Sequence, residues 1–326
     1  MRVLIAGGYG LVGGQIARRL REAGHDLELV LAGRNPDAGA ALAAELGATT
    51  AKLDVADPAP DLAALGPVDL VVAALQDPGD NLLMAALRSG AGHIGIVRTA
   101  ESMASSAIAA AALAQRPALM LGHWQAGVLT LAALATARDF ACVDGVAMAA
   151  LYDYADPIGP MTANDAGGFV GAALIRRSGA WESVPASENG RSVSRAGQPA
   201  FDALPMGVLD TPALAAMTGA RDARFDLGTG VSRGTAAGGA ASHDLYIELT
   251  GRDAAGASMS RRIVVSDPHG QAHLTALGVL LGVERVLGLD GAPPPAAGLW
   301  FPEGVLDPLR AMARLQSLGV TVEAGA

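Results

Sequence analysis

Apolar residues recur along the first third of the chain in short blocks separated by amphipathic stretches, and the first block sets the pattern. Arg2–Ala6 is a β-branched and aliphatic run of the kind that forms a buried parallel strand, and glycines at positions 7, 8, 10 and 13 follow it directly. Beyond them Val12, Ile16 and Leu20 fall on one helical face while Arg18, Arg19, Arg21 and Glu22 fall elsewhere, which predicts an amphipathic helix. Residues 27–32 then read as a second strand, 36–46 as a helix closed by Gly47, 49–54 as a third strand and 58–65 as a short helix. The stretch 68–75 is apolar nearly throughout and predicts a strand buried on both faces. A fifth strand at 93–97, a helix at 100–115 and a sixth strand at 118–122 complete a run of strands and helices that predicts an α/β architecture, a Rossmann doubly wound parallel sheet.

From His123 the texture changes. A helix at 128–137 is followed by Val146, Met148, Ala150, Tyr152 and Tyr154, whose alternation places both tyrosines on one face of a strand. Leu245, Ile247 and Leu249 alternate against Asp244, Tyr246 and Glu248, and a turn at 251–256 leads into 258–266, a hairpin. Residues 165–177 read as helical and 187–199 as a polar, glycine-containing loop. The simplest arrangement of 144–266 is an α+β domain built on a mostly antiparallel sheet, one face of which is free to form a dimer. The end reverts to helix: 273–287 is apolar almost all round, Pro293-Pro294-Pro295 makes an extended connector, and Asp307-Pro308 starts a last helix that Gly319 ends.

The chemistry begins in the glycine turn. Gly8-Tyr9-Gly10-Leu11-Val12-Gly13 fits G-x-G-x-x-G between a strand and a helix, the context in which backbone N–H groups at a helix start face a pyrophosphate; outside that context the pattern is only a tight turn. Gly7, Gly8, Tyr9, Gly10, Leu11, Val12 and Gly13 are therefore expected to bind a dinucleotide. At the end of the second strand an acidic residue would hold the ribose 2′-hydroxyl of NAD, whereas this chain has Arg34 and no carboxylate from 29 to 35. A guanidinium suits the 2′-phosphate of NADP, so NADP (as NADPH) is the expected cofactor and NAD the alternative. Asp54, ending the third strand, either contacts adenine or caps its own loop. Ala74, Leu75 and Gln76, ending the fourth, are expected on the nicotinamide and substrate side, while Asp77 before Pro78 reads as a helix cap in preference to a catalyst.

On the substrate side Arg98 closes the fifth strand and is either a carboxylate clamp or an ion-pair partner. His123 and Trp124 lie where the chain passes from one half to the other: His123 is a proton relay or a structural histidine, and Trp124 a wall for a substrate amine or ordinary packing. Tyr152 and Asp153 sit on opposite faces of their strand, and Tyr152 is the one expected at the site. His269 and His273 have the i, i+4 spacing of a zinc pair, but Gly270 stands where H-E-x-x-H has glutamate, and no metal site is expected.

Composition narrows the classes. At 326 residues the chain is long enough for two cores, and 51% hydrophobic residues make it globular. A formal charge of −9 argues against nucleic acid and anionic membrane as partners and leaves a small-molecule substrate. Lys52 is the sole lysine and Ala48 stands four residues before it, which excludes a Tyr-x-x-x-Lys pair. Cys142 is the sole cysteine, so no intrachain disulfide forms. Neither 106–114 nor 274–283 approaches the ~20 residues of a spanning helix, and no signal peptide precedes the first strand; the expectation is a cytoplasmic protein.

The combination of GGYGLVG at Gly7 to Gly13, AGRNP at Ala32 to Pro36, VDLVVAAL at Val68 to Leu75, and a C-terminal stretch 297–319 with Pro302-Glu303 and Leu306-Asp307 resembles the saccharopine dehydrogenase family in its saccharopine reductase-like branch. The resemblance implies a Rossmann domain of 1–122 plus 271–326 and an inserted substrate and dimerisation domain of 123–270. It also implies an NAD(P)-dependent oxidoreductase that acts by hydride transfer on a C–N bond, an imine or amine of an amino-acid-derived substrate, often as a homodimer. Where the family often carries an Asp-Pro-Gly or Ala-Pro-Gly core, this chain reads His123-Trp124-Gln125-Ala126-Gly127, and with one lysine the lysine–histidine arrangement of the lysine-forming enzymes is absent. Two other functions fit the residues: a nicotinamide-nucleotide sensor without turnover, and a carbonyl or enoyl reductase.

Overall fold

The computed structural model of the chain describes residues 1–57, 60, 62–96, 103–159 and 171–325. They form two compact units, Met1–Gly122 with Thr275–Leu306 and His123–Leu274 with Asp307–Ala326. Among the described residues no helix is long and apolar enough to cross a membrane.

The first unit is built on β1 (Arg2–Ala6), β2 (Glu28–Gly33), β3 (Thr49–Lys52), β4 (Leu70–Ala73), β5 (Gly92–Gly95) and β6 (Pro117–Met120), joined late in the chain by β15 (Gly298–Trp300). All pair in parallel, in the order β15-β6-β5-β4-β1-β2-β3. Val3, Leu4, Ile5 and Ala6 of β1 and Leu70, Val71 and Val72 of β4 are completely buried, as strands covered on both faces require. The order runs outward from β1 through β2 and from β4 through β5, so the topology reverses between β1 and β4. Ligands of open parallel sheets gather at the carboxyl ends of the strands beside that reversal.

The second unit carries β7 (Cys142–Tyr152), β8 (Ala172–Arg177), β9 (Ala180–Pro185), β10 (Arg191–Arg195), β11 (Gln198–Pro205), β12 (Asp222–Thr229), β13 (His243–Arg252), β14 (Ser258–Asp267) and β16 (Thr321–Ala324). Their order is β10-β11-β12-β7-β13-β14-β16, with β8 bridging β12 and β9. The sheet is mostly antiparallel as expected, with one parallel pair, β7 and β12. The hairpin β13–β14 keeps a continuous register from His243 opposite Asp267 to Arg252 opposite Ser258. Tyr152 and Tyr154 do meet, edge to face, with ring centroids 5.4 Å apart.

Three expectations are corrected. The stretch 172–177 is a strand, because Ala173 and Ile175 alternate inward with period two and pack on Val184; residues 165–170 of the expected helix lie outside the described residues. The polar stretch 187–199 contains β10 and the start of β11, anchored by Val193, which packs with Phe201 and Tyr246. The stretch 271–326 is divided: residues from Asp307 group with the second unit, where β16 pairs with β14 and Asp307 pairs with Arg138.

The helix Gln271–Val286 begins on a carboxylate 115 residues away in sequence, Asp156, whose Oδ2 accepts the Gln271 N–H at 2.8 Å. Gly270 (φ +83) brings the backbone so close that a Cβ there would stand 2.5 Å from Asp156 Oδ1. Burial raises the Asp156 pKa to about 6; the Gln271 bond opposes this and the charges of Asp153 and Asp267 add to it. A carboxyl that holds its proton more tightly folded than unfolded contributes stability that is complete below about pH 4 and is lost as pH rises through the folded value. Asp156→Asn keeps an acceptor for Gln271 and cannot ionise. In urea melts the variant is therefore expected to gain on the parent by up to roughly 3 kcal/mol between pH 4 and pH 8, at 1.36 kcal/mol per unit. A difference that does not change with pH would show that this carboxyl carries no charge-burial cost.

Candidate functional site

The glycine turn is shaped by crowding on three sides. The N–H groups of Gly7 and Gly8 both donate to the carbonyl of Ala32 at the end of β2, at 2.8 and 3.3 Å. Gly7 adopts φ +75, and a Cβ on it would lie 2.9 Å from the Ala74 carbonyl oxygen beyond β4. A Cβ on Gly8 would lie 2.7 Å from the Ile5 oxygen, and one on Gly13 would overlap the Gly7 oxygen. At Gly10 the nearest protein atom to such a Cβ is 3.2 Å away, so this glycine is the least crowded by the protein itself. Gly10 also caps the helix Leu11–Glu22, whose first turn has no side-chain cap and no acidic residue. Its N–H groups and the positive end of its dipole are thus available to an anion.

Tyr9 extends this cradle toward β2. Its ring stands where a Cβ on Gly39 would come within 2.6 Å, it closes in the same way over Gly33, and its hydroxyl accepts the Asn35 N–H at 3.0 Å. Tyr9 therefore pins the turn that carries Arg34. Arg34 itself is exposed and makes no hydrogen bond or ion pair with the described residues. Asp54 is exposed, and its Oδ1 accepts the Ala56 N–H at 3.0 Å, the loop-capping role. Ala74 is buried, Leu75 half-buried and Gln76 exposed, in sequence along the carboxyl end of β4 directly beside Gly7. Asp77 is buried and accepts from the N–H groups of Leu82 and Leu83, which makes it the cap of the helix Asn81–Ser89. Arg98 lies outside the described residues.

In the second unit the turn after His123 is strained. Gln125 (φ 52), Ala126 (φ 53) and Gly127 (φ 94) are left-handed in succession, a conformation that costs a non-glycine residue about 1–2 kcal/mol. Asp210, completely buried, holds the turn by accepting the Trp124 N–H at 2.7 Å and the Thr130 hydroxyl at 2.6 Å. His243 holds it from a second side. Its Nε2 lies 3.2 Å from Trp124 Nε1 and 2.8 Å from Gln125 Nε2. An indole N–H only donates, so Nε2 is the acceptor and the proton sits on Nδ1. Burial pushes this imidazole down to about 4, against Asp244 and Asp267, so it is neutral. Trp124 is half-buried, packed on Phe225 at 4.8 Å; His123 is buried.

Tyr152 is half-buried and its hydroxyl donates to the Asp156 carbonyl at 3.4 Å. Burial, then the charges of Asp156, Tyr154 and Asp153, hold its phenol above the ordinary value, so it stays protonated and serves as a donor rather than a base. Asp153 is structural: burial raises its pKa, but the donors Ser232, Thr235 and Ala155 outweigh that and bring it down to about 2.

The arrangement best suited to move a proton was not visible as a pattern. Asp267, wholly buried, accepts the His273 Nδ1–H at 2.7 Å and the His269 N–H at 2.9 Å. Nδ1 is the donor to a carboxylate, and Nε2, on a side chain that is itself buried, bonds to none of the described residues. Because the helix starts at Gln271, His269 precedes it, and the two rings meet edge to face at 4.9 Å rather than one above the other. Among the described residues no group of three histidine, cysteine or acidic side chains is placed to hold a metal ion. The sequence S-D-P-H at 266–269 was the available signal, though it does not show which histidine the aspartate meets.

No protein-family model and no curated protein matches the sequence. Solved structures do match. Apo saccharopine dehydrogenase (L-Glu forming) from Saccharomyces cerevisiae superposes with a TM-score of 0.76 at 12% identity, over 100% of both chains. Scyllo-inositol dehydrogenase from Lactobacillus casei, with bound NAD(H) and scyllo-inositol, gives 0.50 at 12% identity, over 99% of this chain and 98% of the other. From end to end, this chain has the fold of saccharopine dehydrogenase.

Proposed function

We propose that the chain is a nicotinamide-nucleotide-dependent oxidoreductase that uses NADP and transfers hydride to or from the carbon of a C–N bond in a small, amino-acid-derived molecule. The observation that carries this reading is the glycine turn, in which Gly7, Gly8 and Gly13 have no room for a side chain while the uncapped start of the helix Leu11–Glu22 offers its N–H groups. Gly10, Leu11 and Val12 would hold the diphosphate and Arg34 the 2′-phosphate, and Ala74, Leu75 and Gln76 stand beside Gly7 for the nicotinamide side. When bound, the nicotinamide supplies or accepts the hydride.

The chain's own residues then have to orient the substrate and manage one proton. His273 is buried as His123 is, and the Asp267 carboxylate on its Nδ1–H is the reason we assign it that proton; Tyr152 is a hydrogen-bond donor. Trp124, and Arg98 as a clamp on a substrate carboxylate, complete the reading. NAD is the competing cofactor, and the scyllo-inositol dehydrogenase of similar fold was solved with NAD(H).

Titrating NADPH and NADH into the protein tests the cofactor. Arg34→Ala removes charge-assisted hydrogen bonds worth roughly 1.5–3 kcal/mol, which is an expected ten- to hundredfold loss for NADPH with little change for NADH. Equal losses for the two nucleotides would refute the assignment. Following NADPH absorbance over a panel of oxo acids, each with and without amines, tests the chemistry. Oxidation only when amine is present supports the C–N reading, ketone turnover without amine replaces it with carbonyl reduction, and binding without turnover leaves a sensor. On a substrate that turns over, His273→Gln and Asp267→Asn are expected to keep NADPH affinity and lower the rate by about 10²–10⁴. Full activity in both would return the proton to another group.

A further inference from the structure

Among the described residues the cations are almost all spoken for. With 32 acidic residues against 23 lysines and arginines, a free guanidinium or ammonium has carboxylates in excess to meet. Arg2, Arg18, Arg177, Arg191, Arg224 and Arg233 all sit in ion pairs, and others bond to backbone carbonyls. Among the described arginines and lysines, Arg34, Lys52 and Arg88 are the ones whose side chains make neither a hydrogen bond nor an ion pair.

Two of these three come together at one corner of the parallel sheet. Lys52, the last residue of β3, is paired in register with Gly33, the last residue of β2, and Arg34 is the next residue along. Neighbouring parallel strands run about 4.8 Å apart, well within the reach of a lysine or arginine side chain. The corner is held beside each cation: next to Lys52 the Leu53 N–H donates to the Gly33 carbonyl at 2.9 Å, and next to Arg34 the Asn35 N–H donates to the Tyr9 hydroxyl at 3.0 Å. Both cations are exposed, and neither pairs with Asp37 or Asp54, the carboxylates nearest in sequence.

We infer that Lys52 and Arg34 together form a site for a phosphomonoester dianion, the 2′-phosphate of the nucleotide, with Lys52 as a second determinant of cofactor choice. The inference rests on the NADP reading above. A phosphomonoester carries about −1.5 to −2 charge at pH 7, more than one guanidinium neutralises. Arg34 offers a planar fork for two oxygens, and Lys52 offers a compact charge for the third. A ribose diol has no use for a second cation, so the pair is explained by a phosphate and not by NAD.

The test is a fluorescence titration of NADPH and of NADH into the parent protein, Lys52→Met, Lys52→Arg and Arg34→Ala, with melting curves as a check on folding. Because the Lys52 side chain is exposed and bonds to none of the described residues, Lys52→Met is expected to fold as the parent does. The expected result is a roughly tenfold or greater loss of NADPH affinity in Lys52→Met, an NADH affinity within about twofold of the parent, and near-complete recovery in Lys52→Arg. A shallower dependence of NADPH binding on salt in Lys52→Met is expected with it. If Arg34→Ala loses NADPH while Lys52→Met binds it as the parent does, the role of Lys52 is overturned and the cofactor reading stands. If the parent prefers NADH, or if neither variant changes the ratio of the two nucleotides, the cofactor reading falls and the two-cation site falls with it.

Discussion

Everything in the first unit that bears on function depends on how closely one glycine turn is held against the ends of two neighbouring strands. Ala32 at the end of β2 accepts two of its N–H groups, and the Ala74 carbonyl beyond β4 stands over Gly7. The Gly7 carbonyl in turn occupies the space above Gly13, inside the first turn of the helix. A methyl group at any of these contacts would push the helix away from the sheet. Held this tightly, the start of the helix presents bare main chain at the topological reversal of the sheet, where ligands of parallel sheets collect. The same packing reaches outward through Tyr9, whose ring lies over Gly33 and Gly39 and whose hydroxyl fixes the backbone beside Arg34. The glycine turn and the corner that carries Arg34 are thereby parts of one rigid arrangement.

The second unit uses its polar residues differently. Asp153, Asp156, Asp210, Asp244 and Asp267 are all buried, and each accepts from backbone N–H or hydroxyl donors of a loop or helix start. Buried carboxylates persist where such donors meet them, and here they tie down the connections at one end of the sheet. Asp267 is the one whose donors include an imidazole, which turns a structural device into a group able to steer a proton. The left-handed run at Gln125 and Ala126 belongs to the same economy: Asp210 and a neutral His243 hold the turn by bonds to Trp124 and Gln125.

Legibility from sequence followed the range of the interactions. The strand, glycine turn and helix at the amino end, the hairpin β13–β14 and the cap at Asp77 were readable because each is set by residues a few positions apart. The stretch 172–177 was misread, since AALIRR has too few residues to separate a period of two from one of 3.6; the inward packing of Ala173 and Ile175 on Val184 decided it. Likewise 187–199 is polar in composition, and a single buried Val193 within it was enough to make a strand once Phe201 and Tyr246 faced it. The site residues divide in the same manner. Tyr9 and Arg34 were visible as part of a motif, whereas Asp210, His243 and Lys52 were not.

The chain by itself determined the order of its elements, the spacing of the glycine cradle and the absence of a carboxylate beside Arg34, because periodicity, turn chemistry and residue identity are local properties. The tertiary structure decided which distant groups meet. Trp124 finds Asp210 86 residues on, Gln271 finds Asp156 115 residues back, and Lys52 comes to stand opposite Gly33, the residue before Arg34, through the register of β2 with β3. It also decided that Asp267 would hold His273 rather than leave it to pair with His269. Such pairings are set by burial, which makes an unpartnered polar group costly, and burial is a property of the packed chain that no window of sequence contains.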